Sequence, residues 1–174
     1  TSNPEITFFK TTYKKHTNFA IDTVINQVSG SLDFGNDITC ELPKNGDLIS
    51  KLFLKIELSA TTSSSIGQWG WIKNIGHNII DTIKLQIGNR DINIHDNHWL
   101  NIWYELTKNE NQIDGYNKLI GNTEYATKID NATGTTLDRK ITLFIPLHLY
   151  FTKEFNLALP IISLVYSKVN IIIN

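Results

Sequence analysis

Methionine is absent from these 174 residues, cysteine occurs once, proline four times, and neither sign of charge prevails, with 16 basic against 17 acidic side chains. Each shortage excludes something. A chain without methionine cannot begin at its own start codon, so a processed chain or a fragment is expected. One cysteine, Cys40, cannot form an internal disulfide framework and fits maturation in a reducing compartment. Near-neutral charge gives no electrostatic purchase on phosphate backbones, so no direct nucleic-acid partner is expected. No run of about 18 apolar residues offers a membrane span, and no basic stretch followed by an apolar one reads as a signal peptide. The length suits one domain with a real core.

What is present is strand pattern. From Asp47 to Leu58 the residues alternate: Leu52, Leu54, Ile56 and Leu58 fall on one face, Lys51, Phe53, Lys55 and Glu57 on the other. That period of two is a strand with one buried face. The β-branched stretch from Ala20 to Gly30 and the short Ile38 to Leu42 read as further strands. Between the latter and the anchor strand lies Asn45-Gly46, a hairpin signal that fails a register check. As the centre of a hairpin it would set Leu42 opposite Ile49 and Thr39 opposite Leu52, a polar face against an apolar one. It is therefore read as a turn that carries the chain from one sheet to the other.

Gly88-Asn89 passes the same check. It pairs Ile87 with Arg90, Leu85 with Ile92 and Ile83 with Ile94 on one face, leaving Gln86 with Asp91 and Lys84 with Asn93 on the other. Most consecutive strands swapping sheets while one central pair stays adjacent is the pattern of an all-β jelly-roll β-sandwich built from two Greek-key sheets. One short helix is expected, over Asn97 to Thr107, where Trp99, Ile102, Trp103 and Leu106 recur at helical steps as core packing and Asp96 or Asn97 can cap. The polar stretch Ser59 to Ser65 reads as a loop, as do residues 108–140, rich in Asn, Asp, Thr and Gly. Ile141, Leu143 and Ile145 alternate into a strand ending at Pro146, and a last strand is expected from Ile161 to Ile173, with Pro146 and Pro160 at edges or bends.

Reactive chemistry finds little support. His95 and His98, with Glu105 further on, could be read as metal ligands on a jelly-roll frame, but the His-x-His of such sites is missing. His16, His77 and His148 are scattered, and Cys40 has no His or Lys beside it to activate a thiolate. No nucleophile elbow, phosphate-binding glycine loop or telling pair of carboxylates is present, so no catalytic residue, metal or cofactor is assigned and no enzyme is expected. Asn131-Ala132-Thr133 is a formal glycosylation sequon, of use only in a secretory route.

Several stretches resemble one family. Asn3 to Ala20, NPEITFFKTTYKKHTNFA, is similar to the opening of the major capsid proteins of nucleocytoplasmic large DNA viruses, the iridovirus and algal-virus type. Trp99 to Thr107 is similar to its Trp-Leu-Asn-Ile-Trp-x-Glu-Leu-Thr. Gly115-Tyr116, Leu119 to Asn122, Ile145-Pro146-Leu147, Leu157 to Pro160 and Tyr166 to Val169 also resemble family positions, as does the aromatic run from Trp69-Gly70-Trp71 to Gly76-His77. The resemblance implies one half of a double jelly-roll, with residues 1–174 as the N-terminal jelly-roll domain and a second jelly roll beyond 174. It implies a structural protein of the virion, assembled in the host cytoplasm as homotrimeric, pseudo-hexagonal capsomers that tile an icosahedral shell. Neighbouring capsomers and minor capsid proteins would be its partners, and an underlying membrane would be reached only through other proteins.

The strand count agrees with an incomplete roll. Seven strand-like stretches are found, at about 20–30, 38–42, 48–58, 79–87, 90–95, 141–145 and 161–173, where a jelly roll needs eight. The polypeptide is thus expected to continue past Asn174 and to begin before Thr1, and the resemblance implies a strand position between 20–30 and 48–58 that is unfilled or taken by another segment. The alternative of another class is a carbohydrate-binding sandwich using Trp69, Trp71 or Tyr104 as sugar platforms, which requires those rings to be exposed.

Overall fold

The computed structural model describes residues 18–62, 66–133 and 137–174, so the family-like opening, with His16, lies outside the described residues. In chain order the elements are β1 (Ser29–Gly30), β2 (Ile38–Glu41), β3 (Leu48–Ile49), β4 (Phe53–Thr62), β5 (Ile66–Trp69), α1 (Ile75–Asn78), β6 (Thr82–Ile87) and β7 (Arg90–Asp96). They continue with α2 (Asn97–Thr107), α3 (Ile113–Ile120), α4 (Glu124–Thr127), β8 (Asp130–Thr133), β9 (Leu137–Pro146), β10 (Leu159–Pro160) and β11 (Val169–Ile173). All strand pairs are antiparallel. The architecture is the jelly-roll sandwich that the two turns predict, with more helix than the sequence pattern suggests.

One layer is a five-stranded sheet of order β1-β2-β11-β6-β7. Its central strand, β11, buries Val169, Ile171 and Ile173 and sets them in aliphatic rows across the sheet. Ile171 lies between Cys40 and Leu85, and Ile173 between Ile38 and Ile83. Such cross-strand rows are the unit of sheet stability. The other layer is built on β4 and β9, where Leu54, Ile56 and Leu58 face Ile145, Leu143 and Ile141. β4 and β9 form a two-stranded ribbon, and the separate β5–β8 pair keeps the same register, Thr62 opposite Leu137 in the one and Ile66 opposite Thr133 in the other. Both layers close on a single apolar cluster that contains Ile83, Leu85, Leu143, Ile145, Phe151 and Ile171.

Local signals hold where they name a turn or a period. The alternation from Lys51 to Leu58 is reproduced residue by residue, half-buried against exposed, although residues 50–52 break the stretch into β3 and β4. Asn45-Gly46 does carry the chain between sheets, since β2 belongs to the five-stranded sheet and β3 pairs with β10 elsewhere. Gly88 (φ 56°) and Asn89 (φ 66°) both adopt left-handed backbone, as a tight two-residue hairpin turn requires.

Four expectations are corrected. Of residues 20–30 only Ser29–Gly30 enters a sheet, and Ile21 and Ile25 stand 71% and 92% exposed. β-branched composition favours a strand only where a neighbour offers a surface to pack on. The expected last strand is confined to Val169–Ile173, because Ile161–Ser163 coil into a 3-10 turn with the Ser163 hydroxyl donating to the Pro160 carbonyl at 2.8 Å. The described part of residues 108–140 is largely ordered secondary structure and not a loop. Asn109 and Thr123 accept backbone N–H bonds at helix starts, and Gly121 (φ 78°) closes α3, so the polar residues are caps.

The fourth correction is the hairpin register. Ile87–Arg90 and Gln86–Asp91 pair as expected, after which a bulge lets Leu85 face Asn93, Lys84 face Ile94 and Ile83 face His95. The extra residue reverses the faces of β7. Ile92 and Ile94 end 51% and 57% exposed, while Asn93 and His95 take the inner side.

The glycines of two turns should respond differently to alanine. Gly88→Ala meets only the left-handed strain of about 1–2 kcal/mol, its nearest neighbour being Ser167 Oγ at 3.5 Å. Gly121→Ala adds overpacking of about 1–3 kcal/mol, since its Cβ would lie 2.6 Å from Ile75 Cγ2 and 2.8 Å from Leu143 Cδ2. Urea denaturation midpoints of the two variants check this; equal losses would show that α3 does not press on β9.

Candidate functional site

His95, His98 and Glu105 do not come together as a ligand set. His95 sits half-buried on β7 with its ring edge-on to Trp99, 5.7 Å between centroids, while His98 is exposed and Glu105 pairs with Lys108. Among the described residues no three His, Cys, Asp or Glu side chains come together as a ligand set. Cys40 is half-buried in the sheet, 3.2 Å from the Asn26 amide nitrogen.

The sugar-platform reading is corrected. Trp69 stands edge-on to Trp71 at 6.1 Å, and the Arg139 guanidinium lies 4.8 Å from its ring centroid. Arg139 is itself buried and donates to the carbonyls of Ala126 and Lys128. Tyr104 is buried and stacked on Tyr116 at 4.7 Å. A sugar needs a bare ring face, and these rings are covered.

Two histidines that look scattered in the sequence are joined. Asn74 enters α1 in the left-handed region (φ 53°), and a Cβ on Gly76 would come within 3.0 Å of the Ile120 backbone. Glycine therefore lets α1 lie directly against the end of α3, which drives His77 between α2 and α3. His77 is fully buried, with Nδ1 3.0 Å from Asn101 Oδ1 and Nε2 3.1 Å from the Tyr116 hydroxyl. That hydroxyl lies 3.2 Å from Nε2 of His148, just past β9. Tyr104 and Asn122 share Asn117 Oδ1 beside this chain.

Burial favours the neutral form of each histidine. His148 is pulled down to about 4 by burial, with His77, His95 and Lys153 adding to it. Burial also lowers His77, opposed by its bond to Asn101, and lowers His95, where Lys153 assists and Asp96 opposes. Tyr116 is raised above the ordinary phenol range by burial and then by Tyr104.

This cluster explains why α2 is rotated from the face its aromatics suggest. The helix has the expected bounds, and Asp96 caps it by accepting from Trp99 N at 2.7 Å. It buries Leu100 and Tyr104, with the polar Asn101 on the same side, and leaves Ile102 and Leu106 52% and 75% exposed. Trp99 and Trp103 are only half-buried, and the Lys153 ammonium lies 4.6 Å from the Trp103 ring centroid. Hydropathy could not find this face, because an asparagine on it serves the histidine.

The outward surface is the other candidate. Apolar side chains stand exposed on the ribbon (Phe53, Phe144), on β7 and α2 (Ile94, Leu106) and on the loop before β11, where Tyr166 is fully exposed. Among the described residues β7 ends its sheet and β4 is paired on one side only. Open strand edges beside exposed apolar groups mark surfaces built to be covered.

Comparison with known proteins gives one answer. Residues 7–174 match the family model described as "Major capsid protein N-terminus". "Capsid protein 1" of Acanthamoeba polyphaga mimivirus is 36% identical over 182 residues, covering 98% of this chain and 31% of its own length. The "Major capsid protein" of Pyramimonas orientalis virus is 39% identical over 169 residues, covering 97% of this chain and 41% of its own. Among solved structures, "PBCV-1 virus capsid, quasi-atomic model" superposes with a TM-score of 0.67 at 27% identity, covering 96% of this chain and 37% of that one. The chain thus spans roughly a third of the length of the curated relatives it matches.

The rotation of α2 sets an order of costs. Tyr104→Ala is expected to remove about 3–5 kcal/mol, the range for a buried large aromatic, and half-buried Trp103→Ala clearly less. Thermal melting of the two variants tests it; a larger loss for Trp103 would mean that the aromatic stripe is the inner face after all.

Proposed function

The chain belongs to the major capsid protein family of large DNA viruses, and from that premise we propose that it is the N-terminal jelly-roll module of a capsid subunit. The observation that carries the reading is the match of residues 7–174 to a family model for the N-terminal part, in relatives much longer than this chain. On this reading a second jelly roll would follow residue 174. The one-sided pairing of β4 supports a further strand that completes this layer. The work is structural and calls for no enzymatic step, so the fold's task is to present complementary edges to its neighbours.

Three such subunits would form a homotrimeric, pseudo-hexagonal capsomer, assembled in the host cytoplasm, with neighbouring capsomers and minor capsid proteins as further partners. Exposed Phe53, Phe144 and Tyr166 and the edge of β7, open among the described residues, support lateral association. Obligate interfaces of this kind bury upwards of about 2,000 Å². Sedimentation of the intact subunit at assembly concentrations should return three times the mass of the polypeptide. A stable monomer there would overturn the reading.

A further inference from the structure

We propose that the His77–Tyr116–His148 chain is an acid-sensitive latch that holds the helical segment from α1 to α3 on β9. The proposal stands on hydrogen-bond geometry and does not rest on the capsid reading. Asn101 Nδ2 donates to the Asn97 carbonyl at 3.1 Å and to Asn78 Oδ1 at 3.3 Å, which turns its own Oδ1 toward His77. His77 Nδ1 must then donate, leaving Nε2 to accept from the Tyr116 hydroxyl, and the tyrosine oxygen accepts in turn from Nε2–H of His148. Two hydrogens fill two gaps.

One added proton keeps both gaps filled but leaves a partly desolvated charge with no carboxylate beside it among the described residues, which disfavours it. It settles on Nδ1 of His148, or on Nε2 of His77 if His148 moves its own hydrogen to Nδ1. With both rings charged, three hydrogens meet two gaps, and the tyrosine hydrogen loses its acceptor between fully buried His77 and half-buried His148. The surroundings offer no relief. Tyr104 faces His77 and Tyr116 from α2, while His95 from β7 and Lys153 from beyond β9 bring like charge toward His148. Asp96 acts on His95, and Glu105 is taken by Lys108. Among the described residues no carboxylate pairs with any of the three rings. His77, Tyr116 and His148 are carried by α1, α3 and the segment just past β9, so losing the chain removes hydrogen bonds that tie the helices down and none within a strand pair.

The sign follows from linkage. His148 falls from the ordinary 6.5 to about 4 on folding, so the unfolded segment takes up protons first as the solution is acidified. The latch is whole above about pH 6.5 and weakens as pH drops toward 4.

Native-state amide exchange on the intact polypeptide, corrected for intrinsic rates, tests this. Opening of α2 and α3 should rise by about 10²-fold between pH 7 and pH 4 relative to β6 and β11. His148→Gln, which can still donate to Tyr116 but cannot charge, should hold the rise to a few-fold, and Asp96→Asn should leave it in place. The histidine ring signals of the unaltered chain should show His148 titrating well below 6.5. Equal opening of sheets and helices, an undiminished rise in His148→Gln, its disappearance in Asp96→Asn, or an ordinary His148 titration would each overturn the proposal.

Discussion

The constraint on which the rest depends is the closeness of α1 and α3 to β9. Gly76 lies where a Cβ would meet the Ile120 backbone and Ile145, and Gly121 where one would meet Ile75 and Leu143. Backbone packed against a buried aliphatic row leaves no slack, so each helix has one seat. From that seat follow the burial of His77, the stacking of Tyr104 on Tyr116 and the rotation of α2 that brings Asn101 to His77. The row Ile141, Leu143, Ile145 thus serves twice, pairing with β4 in its layer and seating the helices.

The outer surface obeys a different logic. A bulge in β7 turns Ile92 and Ile94 outward, α2 shows Ile102 and Leu106 to solvent, and Phe53 and Phe144 share the exposed side of the ribbon. In an isolated domain these would be a hazard, because open edges and apolar faces recruit other chains. In a member of a capsid family the same features suit a module whose neighbours are part of its structure. The polar cluster inside and the apolar groups outside are two sides of one choice, since turning α2 to set Asn101 against His77 is what exposes Ile102 and Leu106.

What the sequence determined by itself is local. The alternation around Leu54, Ile56 and Leu58, the left-handed Gly88-Asn89 turn, the sheet change at Asn45-Gly46 and the bounds of α2 all follow from a period or from backbone conformations that few residues allow. The family resemblance was legible too, since it lies in contiguous strings. For β7 and α2, tertiary structure alone decided which face turns inward. One bulge reversed β7, one asparagine turned α2, and the polar residues between 108 and 127 became caps because β9 gave short helices a surface to pack on. His77 and His148 are 71 positions apart, and no pattern of neighbours could join them. Burial is a relation between distant parts of the chain, and hydropathy along it records only what each residue would prefer.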